Sequence, residues 1–468
     1  MNFWQQLTQK SHPDTFKAKD AKLDKVLGTK DFLALGVGTI VGTAIFTLPG
    51  TVAASHAGPA VVLSFLAAAV VAGLVAFAYA EMASAMPFAG SAYSWISVLF
   101  GNFFGWIAGW ALLAEYFIAV AFVSSGISAN WRGLFAPLGL KVPTALATPL
   151  LGGGFGDFVA VLAIVFVAVL LARGTKNASR FEMVMVLAKV FAIFLFLVVG
   201  VTAFHIENLH PFIPAHQTGT SFGGVSGIWA GVAGIFLAYI GFDSIAANSA
   251  EAKNPAQTMP RGILGSLLIA VALFAAVSLV LVGMFKYTKY ANNAEPVAWA
   301  LREAGHPIVA TTVAAIAVLG MFTALVGMML AGSRLLYAFG RDGMLPNWLG
   351  RVNDKDLPNN GLLVLTVIAI VIGAFFPFAA LAELISAGTL IAFTFVSFGI
   401  YALRRRAKTD LPNAGFKMPL YPVLPALAGI GSISVFLGLG TTAKVGSLIW
   451  FVLGVIVYFA YGFQKKES

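Results

Sequence analysis

The sequence predicts an all-α integral membrane protein with 12 transmembrane helices. Hydrophobic residues make up 59% of its 468 residues, and charged residues make up only 10%. An average soluble protein is about half apolar and roughly a quarter charged. A membrane-spanning helix needs about 20 mostly apolar residues, and twelve segments satisfy this condition when a break or one buried charge is allowed. A soluble enzyme and a nucleic-acid-binding protein are therefore disfavoured.

The predicted spans follow one another without a linker long enough for a separate soluble domain. They are residues 32–53, 60–83, 101–127, 155–173, 183–204, 226–249, 262–286, 308–337, 361–377, 380–403, 419–440 and 444–463. Residues 32–80 contain no Asp, Glu, Lys or Arg, so the first two spans are the clearest. The segments 86–99 and 292–304 are predicted to form short helices at the membrane surface.

The basic residues predict the orientation of the chain. If the N-terminus is cytoplasmic and the sides alternate, 22 of the 29 Lys and Arg residues lie in cytoplasmic segments, 6 lie outside and Lys189 lies within a span. Such an asymmetry is the positive-inside signal of a multi-pass membrane protein. Both termini are therefore predicted to be cytoplasmic, with the chain in the cell membrane. The net charge of +10 is then explained by topology, without an acidic partner.

Two spans contain glycines where a regular helix is disfavoured. Glycine costs a helix about 1 kcal/mol relative to alanine, and glycines recur in residues 36–46 of the first span and 234–244 of the sixth. Close helix packing is one explanation, since small residues four apart are common in spans. Glycine-interrupted spans at corresponding positions of two halves point instead to broken helices around a midplane site. We predict that helices 1 and 6 are broken.

A broken helix leaves backbone groups that can bind a polar ligand. Unpaired N–H and C=O groups are costly in hydrocarbon. The N–H groups at the start of a half-helix suit a carboxylate, and the freed carbonyl groups suit an ammonium group. A zwitterionic amino acid carries both groups. It would need no charged side chain for this contact, and residues 32–53 contain none.

Three charged side chains lie well inside predicted spans, namely Glu115, Lys189 and Asp243. A charge at mid-membrane costs at least about 2.5 kcal/mol on insertion scales, so these groups are expected inside the protein with partners or water. A structural ion pair is one interpretation. A proton relay or a substrate contact is the other, because a proton-coupled carrier needs a carboxyl group that binds and releases a proton.

The motifs of common catalytic and metal sites are missing from the sequence. The chain has no cysteine, which excludes thiolate metal sites and cysteine nucleophiles. It has no Walker A loop and no nucleophile elbow, and its histidines have no metal-ligand spacing. We therefore expect neither an enzyme nor a metal or organic cofactor. Met321, Met328 and Met329 are interpreted as core packing.

Residues 36–46 resemble the first-span signature of the amino acid–polyamine–organocation transporters, Gly-x-Gly-x-x-Ile/Val-Gly-Thr-Gly-Ile-Phe. Further motifs follow in family order, over about residues 30–440. They are Pro87-Phe-Ala-Gly-Ser-Ala-Tyr93, Gly109-Trp110-x4-Glu115-Tyr116, Phe236-x-Ala-Tyr-Ile-Gly-Phe-Asp243, Glu251-x-x-Asn254-Pro255-x4-Pro260 and Ser333-Arg334-x-x-Tyr337-Ala338-x3-Asp342-Gly343-x-x-Pro346. Within the superfamily the chain is similar to the cationic-amino-acid-transporter branch. The similarity is greatest to bacterial branched-chain amino acid permeases, over residues 84–120 and 236–262.

The resemblance implies the leucine-transporter fold. In this fold two inverted repeats of five helices are followed by two further helices, and transport occurs by alternating access. The chain then divides into a cytoplasmic tail at 1–31, a first repeat at 32–205, a second repeat at 206–406, and helices 11 and 12 with a short tail at 407–468.

The resemblance also implies candidate functional residues on both broken helices. Those expected to bind the substrate are Thr39, Ile40, Val41, Gly42, Thr43, Ala44, Phe236, Ala238, Tyr239 and Ile240. Glu115, Lys189 and Asp243 are expected to take part in proton coupling or gating, with no Na⁺ and no other metal. Ala44 departs from the family, which usually has glycine there. Its methyl group either narrows the pocket beside the carboxylate or has no effect.

The leading hypothesis is a proton-coupled importer of leucine, isoleucine and valine, with methionine as a further substrate, because the expected pocket walls are apolar. One alternative is a carrier of cationic amino acids, with Glu115 facing the substrate side chain; a pairing of Glu115 with Lys189 would weaken it. Another is an amino acid exchanger without net proton coupling. A membrane sensor would need a soluble output domain, and a channel would not need paired broken helices.

Overall fold

The computed structural model of the protein is built almost entirely from helices. It describes residues 7–20, 25–135, 139, 142–173, 175–291, 293, 295–353, 358–376, 378–407 and 409–463. The extreme ends of the chain, whose cytoplasmic location is predicted above, lie outside the described residues.

Seventeen α-helices and one two-stranded hairpin are formed by the described residues. In chain order the helices are α1 (Pro13–Asp20), α2 (Thr29–Ile40), α3 (Ala44–Val52), α4 (Val61–Ala85), α5 (Ala92–Leu99), α6 (Asn102–Phe135), α7 (Phe158–Ala172), α8 (Thr175–Thr202), α9 (Gly224–Ile235), α10 (Phe242–Ala247), α11 (Pro255–Met284), α12 (Pro296–Glu303), α13 (Pro307–Arg341), α14 (Asn359–Phe375), α15 (Phe378–Arg406), α16 (Val423–Gly438) and α17 (Thr441–Val457). The hairpin pairs β1 (Ala147–Thr148) with β2 (Gly156–Asp157) in antiparallel register.

Eight helical stretches of the described residues are long and apolar enough to cross a membrane. They are Ala44–Ala85, Asn102–Phe135, Met183–Thr202, Gly224–Ala247, Pro255–Met284, Pro307–Arg341, Leu384–Arg406 and Thr441–Gly462. The helices α7, α14 and α16 are shorter and also apolar. Large side chains such as Leu437 and Leu448 are exposed on α16 and α17, where a soluble protein would rarely carry a large apolar patch. The chain is a multi-pass membrane protein.

Helices of the structure cover all twelve predicted apolar segments, and both predicted interruptions are present. The first segment is divided between α2 and α3. The sixth is divided among α9, a 3-10 turn at Phe236–Tyr239 and α10. Because the glycine-rich sequence does not continue either helix, each of these two spans consists of two half-helices.

The short helix predicted at 86–99 is shorter and more buried than the sequence suggests. Helix α5 begins only at Ala92, because Gly90 and Ser91 have φ values of +95° and +49° that no α-helix contains. All eight of its residues are buried, so neighbouring parts of the protein cover it. The other short helix, predicted at 292–304, is α12, which begins with the proline expected in a first helical turn.

Helices α6 and α13 form the centre of the bundle. Their most apolar windows are 89% and 72% buried within the protein. Gly109 on α6 lets α5 and α13 approach closely, since a Cβ atom there would lie 2.9 Å from Tyr93 Cβ and 2.6 Å from Phe339 Cζ. Close contact of α6 with its neighbours is what brings buried polar groups of different helices together.

The N-terminal segment is packed against one end of the bundle. Phe16 of α1 stacks on Phe88 with a centroid distance of 5.4 Å. The Asp20 carboxylate accepts a hydrogen bond of 2.9 Å from the Ala89 N–H and forms an ion pair with Arg341. Burial raises the pKa of the Asp20 carboxyl group, although Arg341 acts in the opposite direction. The N-terminal segment thereby connects the loop before α5 with the end of α13.

We expect Gly109→Ala to destabilise the bundle by roughly 1–3 kcal/mol, because the added methyl group overpacks the contact with Tyr93 and Phe339. The measurement is the midpoint of thermal unfolding of the purified protein in detergent. Gly73→Ala is the matched control, since a Cβ atom at Gly73 meets nothing within 4 Å. An equal midpoint for both variants would show that the Gly109 contact is not tight.

Candidate functional site

The first helix break consists of three residues between α2 and α3. The backbone leaves the helical region at Val41, with φ −82° and ψ 64°, and α3 begins at Ala44. Thr43 is 2% exposed, yet its hydroxyl group has no hydrogen-bond partner among the described residues. Because a buried hydroxyl group is costly without a partner, the break offers a polar group to a ligand.

The second break lies directly against the first. After the 3-10 turn, Ile240 is extended, and Gly241 has a φ of +132° that favours glycine. A Cβ atom at Gly241 would lie 2.9 Å from Thr39 Cγ2 and 3.2 Å from the Ile40 nitrogen. Glycine is therefore needed here both for its backbone conformation and for the approach of the two interrupted helices.

A small cavity lies where the two breaks meet. Its volume is about 30 Å³, which is roughly that of one water molecule in the liquid. The residues that line it are Thr39, Ile40, Gly42, Thr43, Ala44, Ala119, Phe122, Val123, Leu237, Ile240, Ala324, Met328 and Ile385. None of these lining side chains carries a formal charge, so the polar character of the cavity comes from backbone groups and two threonines.

Six of the ten expected substrate-binding residues line this cavity, namely Thr39, Ile40, Gly42, Thr43, Ala44 and Ile240. The other four, Val41, Phe236, Ala238 and Tyr239, are buried in the surrounding packing. The Tyr239 hydroxyl group donates a 3.0 Å hydrogen bond to the Phe65 carbonyl group, and Phe236 packs edge-on against Phe393. At the cavity, the structure therefore brings together only some of the residues of each broken segment, and the others pack away from it.

Seven further lining residues were not predicted. Most belong to regular helices, namely α6, α13 and α15, whose apolar residues have the same sequence pattern whether they face a cavity or another helix. Met328, interpreted above as core packing, is one of them. Leu237 lies inside the second broken segment, between residues that are expected to bind the substrate. No signal in the sequence separates these residues from the core.

Two buried carboxyl groups meet beside the second break. Thr389 donates a 2.6 Å hydrogen bond to Glu115 Oε2, and Tyr116 donates one of 2.8 Å to Asp243 Oδ2. Asp243 Oδ1 accepts a further hydrogen bond of 3.1 Å from the Gly241 N–H. The two carboxyl groups lie close enough to interact electrostatically, and Glu115 Oε1 is buried without a hydrogen-bond partner among the described residues. Two carboxyl groups buried close to each other favour a proton on one of them, so the pair can hold one proton.

Lys189 connects three helices behind the first break. It is fully buried, and its ammonium group donates 2.8 Å hydrogen bonds to the Gly38 carbonyl group of α2 and to Thr323 Oγ1 of α13. The Thr323 hydroxyl group lies 3.0 Å from the same Gly38 oxygen. The Lys189 side chain thus contacts a carbonyl group one turn before the interruption.

A larger cavity of about 460 Å³ lies further along α3 and α6. Thr47, Ser125 and Arg132 are among the residues that line it. It approaches the small cavity at Gly126, where a Cβ atom would contact the Thr43 hydroxyl group at 3.0 Å. The Ser125 hydroxyl group is buried without a partner among the described residues, so both cavities present unsatisfied hydroxyl groups near this boundary.

A family model described as amino acid permease matches residues 27–462. The chain belongs to this amino acid permease family. The permease is 62% identical to the branched-chain amino acid permease BcaP of Lactococcus lactis subsp. cremoris, over 98% of this chain and 99% of that protein. It is 35% identical to the methylthioribose transporter of Bacillus subtilis, over 97% of this chain and 96% of that protein.

A second Bacillus subtilis protein, also named branched-chain amino acid permease BcaP, is 35% identical over 96% of this chain and 95% of its own length. Cationic amino acid transporters of Arabidopsis thaliana are further relatives. These relatives are named as permeases and transporters, not as enzymes, which agrees with the absence of catalytic motifs in the sequence.

We expect Gly241→Ala to abolish most amino acid uptake by the reconstituted permease. Alanine at a φ of +132° is strained by roughly 1–3 kcal/mol, and its methyl group would push Thr39 away from the second break. Gly234→Ala is the control, because its nearest contact lies 4.0 Å away, at Val52. Uptake should be measured at matched amounts of folded protein. Normal uptake by Gly241→Ala would mean that the approach of the two breaks is not required.

Proposed function

We propose that the protein imports neutral branched-chain L-amino acids, namely leucine, isoleucine and valine, with methionine as a further substrate. The observation that carries this proposal is the uncharged cavity at the junction of two interrupted helices, in a chain 62% identical to a protein named for this activity. Transport is by proton symport and alternating access in this proposal.

Backbone groups of the two breaks are proposed to bind the zwitterionic part of the substrate. The free N–H groups at the start of α3 can donate hydrogen bonds to a carboxylate, and the dipole of this 9-residue helix favours a negative charge at the same end. The unpartnered Thr43 hydroxyl group lies at the same place. Carbonyl groups of the second broken segment, up to Ile240, would accept hydrogen bonds from the ammonium group.

The side chain of the substrate is proposed to contact the apolar lining from α6, α13 and α15. Phe122, Val123, Met328 and Ile385 supply this surface. A hydrophobic pocket distinguishes substrates that differ by one methylene group by only about 1–3 kcal/mol, so the branched-chain amino acids should compete with one another. A cationic side chain would find no carboxylate among the lining residues.

Alternating access is supported by the sizes of the two cavities. The inner cavity of about 30 Å³ is too small for an amino acid, so helices around it must separate before a substrate binds. The 460 Å³ cavity is proposed to be the entrance from outside. The opposite end carries the N-terminal segment held by Asp20 and Arg341, which would have to loosen for release into the cytoplasm.

The proposed topology has twelve spans in the cell membrane, with both termini in the cytoplasm. Residues 32–205 and 206–406 are proposed to be inverted repeats, with the interrupted helix at the start of each. The tail at 1–31 precedes them, and the helices in 407–468 follow. The excess of basic residues on one side of this arrangement supports the orientation.

Glu115 and Asp243 are proposed to carry the transported proton between them. Two carboxyl groups buried close to each other favour one shared proton, and Asp243 also caps the second break through the Gly241 N–H. If that proton were lost, the two negatively charged carboxylates would repel each other and disturb the second break. Lys189 is proposed to act as a fixed cation on the Gly38 carbonyl group, so that no Na⁺ and no other cofactor would be needed.

The test of this function is uptake of radiolabelled leucine into proteoliposomes that contain the purified protein. It is measured with and without an inward proton gradient, in the absence of Na⁺, and with excess isoleucine, valine, arginine or lysine as competitor. Gradient-driven uptake that isoleucine and valine block, and arginine and lysine do not, is the expected result.

Other outcomes would point to the alternative carriers. Uptake of lysine without uptake of leucine would identify a cationic amino acid permease and contradict the proposal. Leucine uptake that occurs only when the proteoliposomes are loaded with amino acid would identify an exchanger. A requirement for Na⁺ would remove the assigned role of Lys189.

We expect Asp243→Asn to reduce proton-driven accumulation of leucine by at least tenfold, which corresponds to about 1.4 kcal/mol. Leucine binding should be affected much less. An amide cannot release the proton that the pair with Glu115 holds. Binding is measured by leucine-dependent thermal stabilisation in detergent. The exposed Asp14→Asn is the control. Unchanged accumulation would exclude Asp243 from coupling.

Ala44→Gly is expected to broaden the range of competing amino acids, because Ala44 lines the small cavity and removal of its methyl group adds space beside the carboxylate. The measurement is the inhibition of leucine uptake by a series of larger neutral amino acids. Ala168→Gly on α7 controls for the cost of glycine in a helix. An identical inhibition profile would mean that this departure from the family is silent.

A further inference from the structure

A third cavity lies at the end of α15, remote from the residues discussed above. Its volume is about 520 Å³. Its walls are the end of α4, the last turns of α15 and the segment that leads to α16. Lining side chains include Arg404, Arg405, Asn413, Lys417 and Tyr421. The proposed transport function uses none of them.

The frame of this cavity is held by an ion pair between Arg404, which is 20% exposed, and the buried Glu81. Arg404 donates hydrogen bonds of 2.8 Å from Nε and Nη2 to the two carboxylate oxygens of Glu81, and its guanidinium group lies 4.4 Å from the centroid of the Tyr421 ring. The Met418 N–H also donates to Glu81 Oε2, at 2.6 Å. The charge of Arg404 is therefore neutralised, and the segment around Met418 is fixed against α4.

Two further cations at the cavity are not neutralised. The neighbouring Arg406 is paired with Asp410, but Arg405 and Lys417 have no ion pair or side-chain hydrogen bond in the described part of the chain. Both are exposed. The cavity thus has an excess of two positive charges on a rigid frame, together with the Asn413 amide group. This combination suits a phosphate group.

An apolar surface continues from the mouth of the cavity. Leu420, three residues before α16, is 74% exposed, and Val423 at its start is 56% exposed. Leu427 and Ile430 remain exposed on its next turns. This face belongs to an apolar helix of a multi-pass membrane protein, so it is expected to face lipid chains. A ligand that fits both features has an anionic head and an apolar tail.

We propose that the cavity between the ends of α4 and α15 binds the headgroup of an anionic phospholipid. The phosphate group lies between Arg405 and Lys417, and the acyl chains follow the exposed face of α16. Basic pockets between spans at the membrane surface bind anionic headgroups, with about 1 kcal/mol for each Lys or Arg near the surface. A free phosphate ion has the same charge but would not use the apolar face.

The test counts lipids bound to the purified full-length protein by native mass spectrometry. Dioleoylphosphatidylglycerol and dioleoylphosphatidylcholine are titrated separately into protein in detergent. We expect the first phosphatidylglycerol molecule to bind more tightly than phosphatidylcholine. The Arg405→Gln, Lys417→Gln double variant should weaken that first binding event by roughly ten- to thirtyfold, with phosphatidylcholine binding unchanged. Both residues are exposed, so the variant should unfold at the wild-type temperature.

A matched control removes two other exposed cations, Arg261 and Arg351, as Arg261→Gln, Arg351→Gln. It should leave the first phosphatidylglycerol event nearly unchanged. An equal loss in the control would mean that net charge alone attracts the lipid and would overturn the proposal. So would equal binding of the two lipids. Displacement of phosphatidylglycerol by inorganic phosphate would identify a free anion as the occupant instead.

Discussion

The need to satisfy backbone polar groups inside an apolar bundle governs this structure. A helix satisfies its own N–H and C=O groups, but α2 and α9 both end in the interior, where water is not available to replace the lost bonds. Nearby side chains take over part of this task. Lys189 donates to the Gly38 carbonyl group, and Asp243 accepts from the Gly241 N–H. What is left unsatisfied, such as the Thr43 hydroxyl group, defines the place where a polar ligand can bind.

The charged residues of the interior are tied to these breaks. Lys189 reaches the first break from α8, while Asp243 belongs to the second and meets Glu115 of α6. Lys189 and Asp243 thus each contact the backbone of an interrupted helix. A change in the protonation of the carboxyl pair would act directly on Gly241, since Asp243 accepts a hydrogen bond from the Gly241 N–H. The proposed coupling between proton and substrate would therefore be a local event at the two half-helices.

The sequence predicted the interrupted helices because glycine clusters act locally on backbone conformation. It did not predict the start of α5, since the positive φ values at Gly90 and Ser91 arise from how that loop packs. It also treated each broken segment as one binding surface. In the structure Tyr239 faces Phe65 and Phe274, whereas Ile240 faces the cavity. Which way a residue of an irregular segment points depends on neighbours that are distant in sequence.

By itself, the sequence determined that this is a multi-pass helical membrane protein of the amino acid permease type, with two broken helices and with Glu115, Lys189 and Asp243 inside predicted spans. Hydrophobicity, glycine spacing and charge are properties of short segments, so they can be recognised without the fold. Only the tertiary structure decided that Met328 and Ile385 line the cavity and that Glu115 meets Asp243 rather than standing alone. Such contacts join helices that are distant in sequence, as for Thr389 and Glu115, which are 274 residues apart. The type of an apolar or acidic residue does not indicate which residue it will contact.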